Sequence, residues 1–385
     1  MKTNNTIGEF IQFLKQNKTE YANILNSAPY FISVKYDTMY GRNLVIFKYN
    51  QRESDFSHPF VRICRGLILD ADTFDIISYP FEKFFNLGEP NASEIDWSTA
   101  FVSEKLDGSI CKVSVLEHGQ FLISTNSVID AFKCSLMNDI NCPFSNFGDL
   151  FLEGMKHYGL SREDFTRLFE EGYTYMFELT SPYNQVVVKF PETKVSLIGI
   201  RHNASGKEIR FSDHVLSGVF DTPRVFPLHS AEECVAAASV LPDNNEGYVV
   251  CDAQFRRVKI KSPRYVQLHY MASNQVWSPS RVIDIVRANE IDEYVAYFPR
   301  FKSALDAFKQ RYDCYLDSLN DLKVQIDKFK SDGMSKKDFA IWLMGDSDKK
   351  VLAGFAFKYF DGKVDSVKQF IDELDNNKLC VALGL

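Results

Sequence analysis

No stretch of the 385-residue chain approaches the ~18–20 uninterrupted apolar residues that a membrane-spanning helix requires. The N-terminal segment MKTNNTIGEF has one Lys and no apolar run behind it, so no secretory signal is expected. None of the eight Cys (64, 111, 134, 142, 234, 251, 314 and 380) forms a CxxC pair, which argues against a zinc ribbon or a thioredoxin-like redox motif. Scattered Cys fit a reducing cytosol, where thiols serve as small core residues. The chain also lacks an excess of positive charge. A net charge of −7 excludes coating of nucleic acid by bulk charge and leaves room for a local basic cleft. Internal repeats, low-complexity tracts and long linkers are absent too.

What is present is an ordinary core-forming composition, 45% hydrophobic and 25% charged, which excludes a mainly disordered chain. Residues 6–25 read as a helix, with Thr6 and Glu9 in a capping-box pattern before Ile7, Phe10, Ile11 and Leu14. Short β-rich runs follow from 30 to 125: FISVKY, NLVIFKY, RGLILD, FVSEKL, CKVSVL and QFLIST. Residues 161–171 look helical, started by Ser161 and Asp164 and stopped by Gly172. The runs YTYMFEL, QVVVKF, VSLIGI, EGYVVC and RRVKIK read as further strands. After about residue 270 helical patterns take over. Phe301, Leu305, Phe308, Tyr312, Tyr315, Leu319, Leu322, Ile326 and Phe329 trace one apolar seam, for burial in a bundle or in a coiled-coil dimer. Ser335 and Asp338 cap another helix that ends near Gly345. The expected architecture is an α+β body, residues 1–270, followed by an all-helical domain, residues 271–385.

Four short elements could carry chemistry. Lys105-Leu106-Asp107-Gly108 lies between two strand-like runs, so Lys105 sits at a turn where Gly108 permits tight geometry. Such a Lys is either a solvated turn residue or a nucleophile whose amine is held neutral. Val258-Lys259-Ile260-Lys261 alternates apolar and basic, which in a strand puts both Lys on one face about 7 Å apart. With Arg256, Arg257 and Arg264 this makes five basic residues in nine positions, an anion site or a Lys-protected edge strand. Glu246-Gly247 opens a strand one hairpin away. Glu178 interrupts an apolar strand, where an unpaired buried charge would be costly, so it faces a cleft, a cation or a salt-bridge partner.

In order, Lys105-Leu106-Asp107-Gly108, Phe177-Glu178, Glu246-Gly247-Tyr248-Val249 and Lys259-Ile260-Lys261 resemble the motifs of the covalent nucleotidyltransferases, which include DNA and RNA ligases and mRNA capping enzymes. Upstream, Ile46-Phe47-Lys48-Tyr49-Asn50, Cys64-Arg65-Gly66-Leu67 and Pro80-Phe81-Glu82-Lys83-Phe84-Phe85-Asn86-Leu87 narrow the likeness. Downstream, Lys261-Ser262, Tyr265-Val266 and Leu268-His269 narrow it further. The chain resembles the first family of ATP-dependent RNA ligases, that of the T-even phage tRNA-repair enzyme, over roughly residues 30–270. One departure is plain: that family carries a basic residue after the strand following the nucleophile motif, and here Ser124-Thr125-Asn126-Ser127 has none, so a phosphate or ribose contact is either lost or supplied by Asn126.

The resemblance implies a nucleotidyltransferase domain built on antiparallel sheets with flanking helices, and a helical domain that selects RNA. It implies sealing of 5′-phosphate and 3′-hydroxyl RNA ends through AMP on Lys105 and then AMP on the RNA. Lys259, Lys261 and Glu246 would act with Lys105 in catalysis, the two Lys and a metal ion disfavouring its protonated form. ATP would be held by Tyr49, Arg65, Lys83, Phe85, Lys105, Asp107, Gly108, Glu178, Glu246, Lys259 and Lys261. Glu178 and Glu246 would hold Mg²⁺ or Mn²⁺. The implied partner is RNA, including nicked tRNA, for a monomer working in the cytoplasm away from membranes. A DNA ligase, a guanylyltransferase using the same lysine chemistry, and an inactive RNA-binding module are the alternatives.

Overall fold

The structure, a computed structural model, describes residues 6–136, 142–184, 186–242, 244–266, 279–297 and 301–383. The chain divides into two compact units, Met1–Ser273 and Asn274–Leu385. The position 270/271, and the Leu268-His269 pair of the sequence motif, lie outside the described residues.

The first unit is mixed α+β. Four strands come first, β1 (Ile32–Met39), β2 (Arg42–Tyr49), β3 (Arg65–Asp70) and β4 (Ile76–Ser78), forming an antiparallel sheet in chain order. They are followed by β5 (Phe85–Asn86), β6 (Phe101–Lys105), β7 (Ser109–Val115), β8 (Phe121–Thr125), β9 (Tyr173–Thr180), β10 (Lys194–His202), β11 (Glu208–Ile209), β12 (Val225–Phe226), β13 (Gly247–Cys251) and β14 (Arg257–Lys261). These make two five-stranded sheets, β11–β10–β9–β7–β8 and β12–β6–β13–β14–β5. Strand pairing is antiparallel except where β5 meets β14 in parallel.

The unbroken apolar run of β2 has a physical reason. Val45 and Phe47 face one core with Phe10, Leu14 and Leu67, while Leu44 and Ile46 face another with Ile68, Leu122 and Ile129. A strand covered on both faces needs no alternation.

β6 and β7 are consecutive in the chain but lie in different sheets, so Leu106-Asp107-Gly108 is a crossing between sheets and not a hairpin. A Cβ on Gly108 would lie 2.3 Å from the Leu179 carbonyl oxygen, so only glycine allows the chain this close to β9. Asp107 is buried and fastens the crossing. One carboxylate oxygen accepts from the Val187 and Val188 amides (2.9 and 2.7 Å), and the other from the Tyr265 hydroxyl (2.7 Å).

That fastening explains one departure from the sequence reading. The QVVVKF run is not a strand over its described residues, 186–190. Amides given to a carboxylate cannot also pair in a ladder. The helix expected over 6–25 is two helices, Thr6–Gln16 and Tyr21–Leu25, split where the Asn17 side chain donates to the Phe13 carbonyl at 2.8 Å. Over 161–171 the structure has a 3₁₀ turn, Arg162–Asp164, and a single helical turn, Phe165–Leu168, behind a Ser161–Asp164 capping box.

The second unit is helical, with no strand among its described residues. Its longest helix, Lys302–Ser331, buries Leu305, Phe308, Leu319, Leu322 and Ile326 of the expected seam and packs against the helices Pro279–Arg287, Ala353–Phe360 and Val367–Glu373 of the same chain. Lys330 seals that packing by donating to the Tyr359 carbonyl at 2.6 Å. The helix after Ser335 runs Lys336–Met344, with the Ser335 hydroxyl accepting from the Asp338 amide.

Removing the Asp107 carboxylate takes away the acceptor of the Val187 and Val188 amides and of the Tyr265 hydroxyl. Asp107→Ala should therefore cost about 3 kcal/mol of unfolding free energy, measured by urea titration. A change under about 0.5 kcal/mol would mean that water replaces the carboxylate at no cost.

Candidate active site

The register of three strands builds the centre of the site. Gly247 on β13 pairs with Lys105 on β6 at one side and with Lys261 on β14 at the other. A Cβ there would lie 2.1 Å from the Ile260 carbonyl oxygen, and φ is +145°, so the position requires glycine. The preceding Glu246, buried, reaches between the two lysines. Its carboxylate lies 2.5 Å from Lys105 Nζ and 3.8 Å from Lys261 Nζ. Alternation along β14 turns Arg257, Lys259 and Lys261 to one face and buries Val258 and Ile260 on the other.

That face is one wall of a cleft of about 610 Å³ that also takes in Lys105, Gly108, Glu178, Tyr49, Arg65 and Lys83. Glu178 enters from β9, opposite Ile110, and accepts a hydrogen bond from the Gly108 amide at 3.0 Å. Enclosure at the floor of the cleft raises its pKa to about 7; the Glu246 charge adds to this and Lys105 opposes it. Arg65 projects from β3, with one guanidinium nitrogen, Nη1, buried and without a hydrogen-bond partner. Lys83 Nζ sits 5.1–5.5 Å from the rings of Phe56, Tyr49 and Phe85 and donates to the Gln51 side chain at 3.2 Å.

Two of the residues expected to hold ATP, Phe85 and Asp107, do not line this cleft. Phe85 is buried in the core beside Phe56 and Tyr79; its neighbour Phe84 lines the cleft, with the Arg65 guanidinium 5.7 Å above its ring. Phe84 lies just before β5, whose two residues, Phe85 and Asn86, are both buried. Asp107 spends its carboxylate on Val187, Val188 and Tyr265.

One basic residue escaped the sequence reading, and one that it counted is tied down. Arg257 follows from the same alternation as Lys259 and Lys261, but its guanidinium is committed to Glu208, which Arg201 also grips. Lys112 is fully buried on β7, opposite Ser124, and donates to the Gly66 carbonyl at 2.6 Å. Burial, then the charge of Arg65, push its pKa down to about 7. Its only sequence signal is a lone Lys inside an otherwise apolar and Ser-containing strand. Asn126 lines the cleft with a buried side-chain oxygen that has no partner.

Among the described residues no group of three or more His, Cys, Asp or Glu is arranged to hold a metal ion. Nor is any described helix long and apolar enough to cross a membrane.

A sequence model of the RNA ligase family matches residues 63–265. A protein of Autographa californica nuclear polyhedrosis virus, provisionally named a bifunctional polynucleotide kinase/RNA ligase, is 29% identical over 283 residues, covering 69% of this chain and 39% of its own length. A protein of Thermovibrio ammonificans, provisionally named an RNA ligase, is 29% identical over 238 residues, with 59% and 57% covered. The RNA ligase of Rhodothermus phage RM378 is 25% identical over 405 residues, with 85% and 87% covered. The chain thus spans well under two thirds of the first two relatives. Among solved structures, an archaeal ATP-dependent RNA ligase aligns over 82% of both chains with a TM-score of 0.47 and 14% identity.

The raised pKa of Glu178 gives a test independent of activity. In the folded state this carboxyl holds its proton between pH 4.5 and about 7, where an unfolded Glu has released it. Its contribution to stability is present below that window and is lost as pH rises through about 7. The urea-unfolding free energy of the wild type should therefore fall across the window relative to Glu178→Gln. Parallel pH profiles would show that Glu178 ionises like a solvated carboxylate.

Proposed function

The chain belongs to the RNA ligase family, and from that membership we propose that it is an ATP-dependent enzyme joining 5′-phosphate and 3′-hydroxyl RNA ends. The observation that carries the reading is the convergence of Lys105, Glu246 and Lys261 at one rung, with Glu178, Lys259, Arg65 and Lys83 around the same cleft. In the first step Lys105 Nζ attacks the α-phosphorus of ATP. A P–N bond forms, the bond to the bridging oxygen breaks, and pyrophosphate leaves with the electron pair. Nζ must shed its protons to attack and keep the product, and the Glu246 carboxylate at 2.5 Å is the base in contact with it. The AMP then passes to a 5′-phosphate on RNA, and a 3′-hydroxyl displaces it.

Lys259 and Lys261 face the position where charge develops on the transferring phosphoryl group, so their stabilisation is largest in the transition state. Arg65 and Lys83 are assigned to the outer phosphates. Arg65 Nη1 is a buried donor whose need an anion meets. Tyr49 forms the wall beside Lys83, and the half-buried Phe84 ring lines the cleft beneath the Arg65 guanidinium.

A divalent cation fits the donor set in a restricted way. Glu178 is the carboxylate at the cleft floor, and a cation beside it would offset its burial; Glu246 is already engaged by two lysines. A site with one protein carboxylate, completed by phosphates and waters, is within the habit of Mg²⁺. Such an ion would supply charge neutralisation on the phosphates. We assign the ATP chemistry to residues 1–270 and RNA selection to residues 271–385, since every residue named above falls in the first part. Nicked tRNA as substrate, Mg²⁺ as the preferred ion, action as a monomer and a cytoplasmic setting rest on the family resemblance alone.

Intact-mass measurement after incubation with ATP and Mg²⁺ should show one added AMP on the wild type and none on Lys105→Ala. An adduct that survives in the variant would remove Lys105 from the mechanism, and one formed from GTP but not ATP would point to capping chemistry. Lys259→Ala and Lys261→Ala should each slow adduct formation roughly 10²-fold, the usual cost of deleting one oriented charge at a transition state. Arg256→Ala should change it little, because that side chain is half-exposed and paired with Asp252 at 2.7 Å.

A further inference from the structure

We infer that Lys35, Lys48 and Arg65 form a phosphate track that carries the RNA backbone out of the nucleotide cleft and across β1 and β2. The inference rests on the RNA-joining reading above and adds to it where on the protein the substrate strand lies.

A second hollow, of about 520 Å³, opens beside the nucleotide cleft and shares Lys48, Tyr49, Arg65, Asn126 and Ser127 with it, so the two are continuous. Its outer end is bounded by Lys35, which is exposed and takes no part in the nucleotide cleft. No Asp or Glu lines this hollow, in a chain whose acidic residues outnumber its basic ones by 51 to 44. Local charge therefore runs against the whole-chain balance, the pattern a polyanion track requires.

Strand register fixes the cations as a row. Lys48 on β2 pairs with Arg65 on β3 across one ladder and with Ser33 on β1 across the other. Lys35 is two residues beyond Ser33, so it shares that face and lies diagonal to Lys48. Adjacent strands are ~4.8 Å apart, so the row from Arg65 to Lys35 spans roughly 10 Å, further than a single phosphate group reaches. Lys48 is held in place by a neutral partner, donating to the Ser127 hydroxyl at 2.6 Å, which leaves its charge uncompensated by that bond.

Two polar atoms where the track meets the cleft want partners of the kind RNA provides. Arg65 Nη1 is a buried donor without an acceptor, and Asn126 Oδ1 is a buried acceptor without a donor. A phosphate oxygen satisfies the first and a ribose 2′-hydroxyl the second. Arg65 is open to the RNA in the joining steps because the phosphates it holds in the first step have left as pyrophosphate.

The test uses the full chain and a fluorescent, 5′-phosphorylated, single-stranded oligoribonucleotide. Lys35→Glu and Lys48→Ala should each weaken binding about tenfold at low salt. The slope of log K against log salt should become shallower by about one for each lysine removed. Lys35→Arg should bind as wild type does, and thermal melts of both Lys35 variants should coincide with that of wild type, since Lys35 is exposed. AMP-adduct formation by Lys35→Glu should equal that of wild type, while its KM for joining pre-adenylylated RNA rises. Wild-type affinity and salt slope in both charge-removing variants would overturn the track. So would a Lys35→Glu protein that loses the ATP adduct as much as RNA binding, because the row would then serve the triphosphate. A wild type that forms no adduct would instead sink the ligase reading, and the RNA salt slope would still decide the track.

Discussion

The passage of the chain from β6 to β7 is the constraint on which the rest of the site depends. Two consecutive strands belong to different sheets, and only Leu106-Asp107-Gly108 connects them. So short a crossing forces the sheets together where Lys105 ends one strand. The closeness is bearable because Gly108 has no Cβ to strike the Leu179 carbonyl. Asp107 then ties the crossing to residues 187–188 and to Tyr265, giving the nucleophile candidate a rigid base. A second glycine, Gly247, solves the same problem one strand away, letting β13 approach β14 while Glu246 turns in between Lys105 and Lys261.

Concentrating cations in an acidic protein needs a rule for where the carboxylates go. Those nearest β14 are spent on particular partners: Glu208 on Arg257 and Arg201, Asp252 on Arg256, Glu246 on Lys105 and Lys261. Glu208 is held below the ordinary carboxylate range because the charges of Arg257 and Arg201 outweigh the effect of its own burial. This buried pair braces the end of β14 instead of adding to the cleft's charge. Besides Arg257, what faces the cleft from β14 is Lys259 and Lys261, and Arg65 and Lys83 line the same cleft from other elements. The carboxylates that line the cleft with them are Glu104, which is paired with Arg224, and Glu178, whose own ionisation is suppressed at the cleft floor.

How much of this was legible in the sequence varies with the physics involved. The alternation of β14 and the apolar strand around Glu178 are local patterns, and both place their side chains as a strand reading demands. The long seam of Lys302–Ser331 is also local, and its buried members are a subset of the residues that the spacing picks out. Long-range competition for hydrogen bonds was not legible. Nothing in QVVVKF shows that Asp107, some eighty residues away, claims two of its amides. Nor does Phe84-Phe85 show which ring faces the cleft, since that depends on the parallel pairing of β5 with β14, a contact between segments far apart in the chain. Asp107 reads as a ligand residue beside a Lys and a Gly, yet its work is to hold the backbone.

Lys112 shows the limit of reading charge from residue type. A fully buried ammonium beside the Arg65 guanidinium would suffer both desolvation and like-charge repulsion. Its pKa falls to about 7 for those reasons, in that order, so near neutrality a large share of the side chain is an uncharged amine. An amine still donates, and the Gly66 carbonyl receives that bond at 2.6 Å. Gly66 itself has φ +87°, and a Cβ there would press on both Lys112 Nζ and the Asn126 backbone at 2.7 Å. Lysine, glycine and the 124–127 turn therefore fit together as one packing unit under Arg65. The stretch that lacks a basic residue of its own is supported from below by this buried amine and met from the side by Lys48 through Ser127. A basic residue missing from one strand is thus not an absence of cations from that corner of the cleft. Neighbouring β2 supplies one, Lys48, which meets the turn through Ser127, while Lys112 serves there as a buried hydrogen-bond donor.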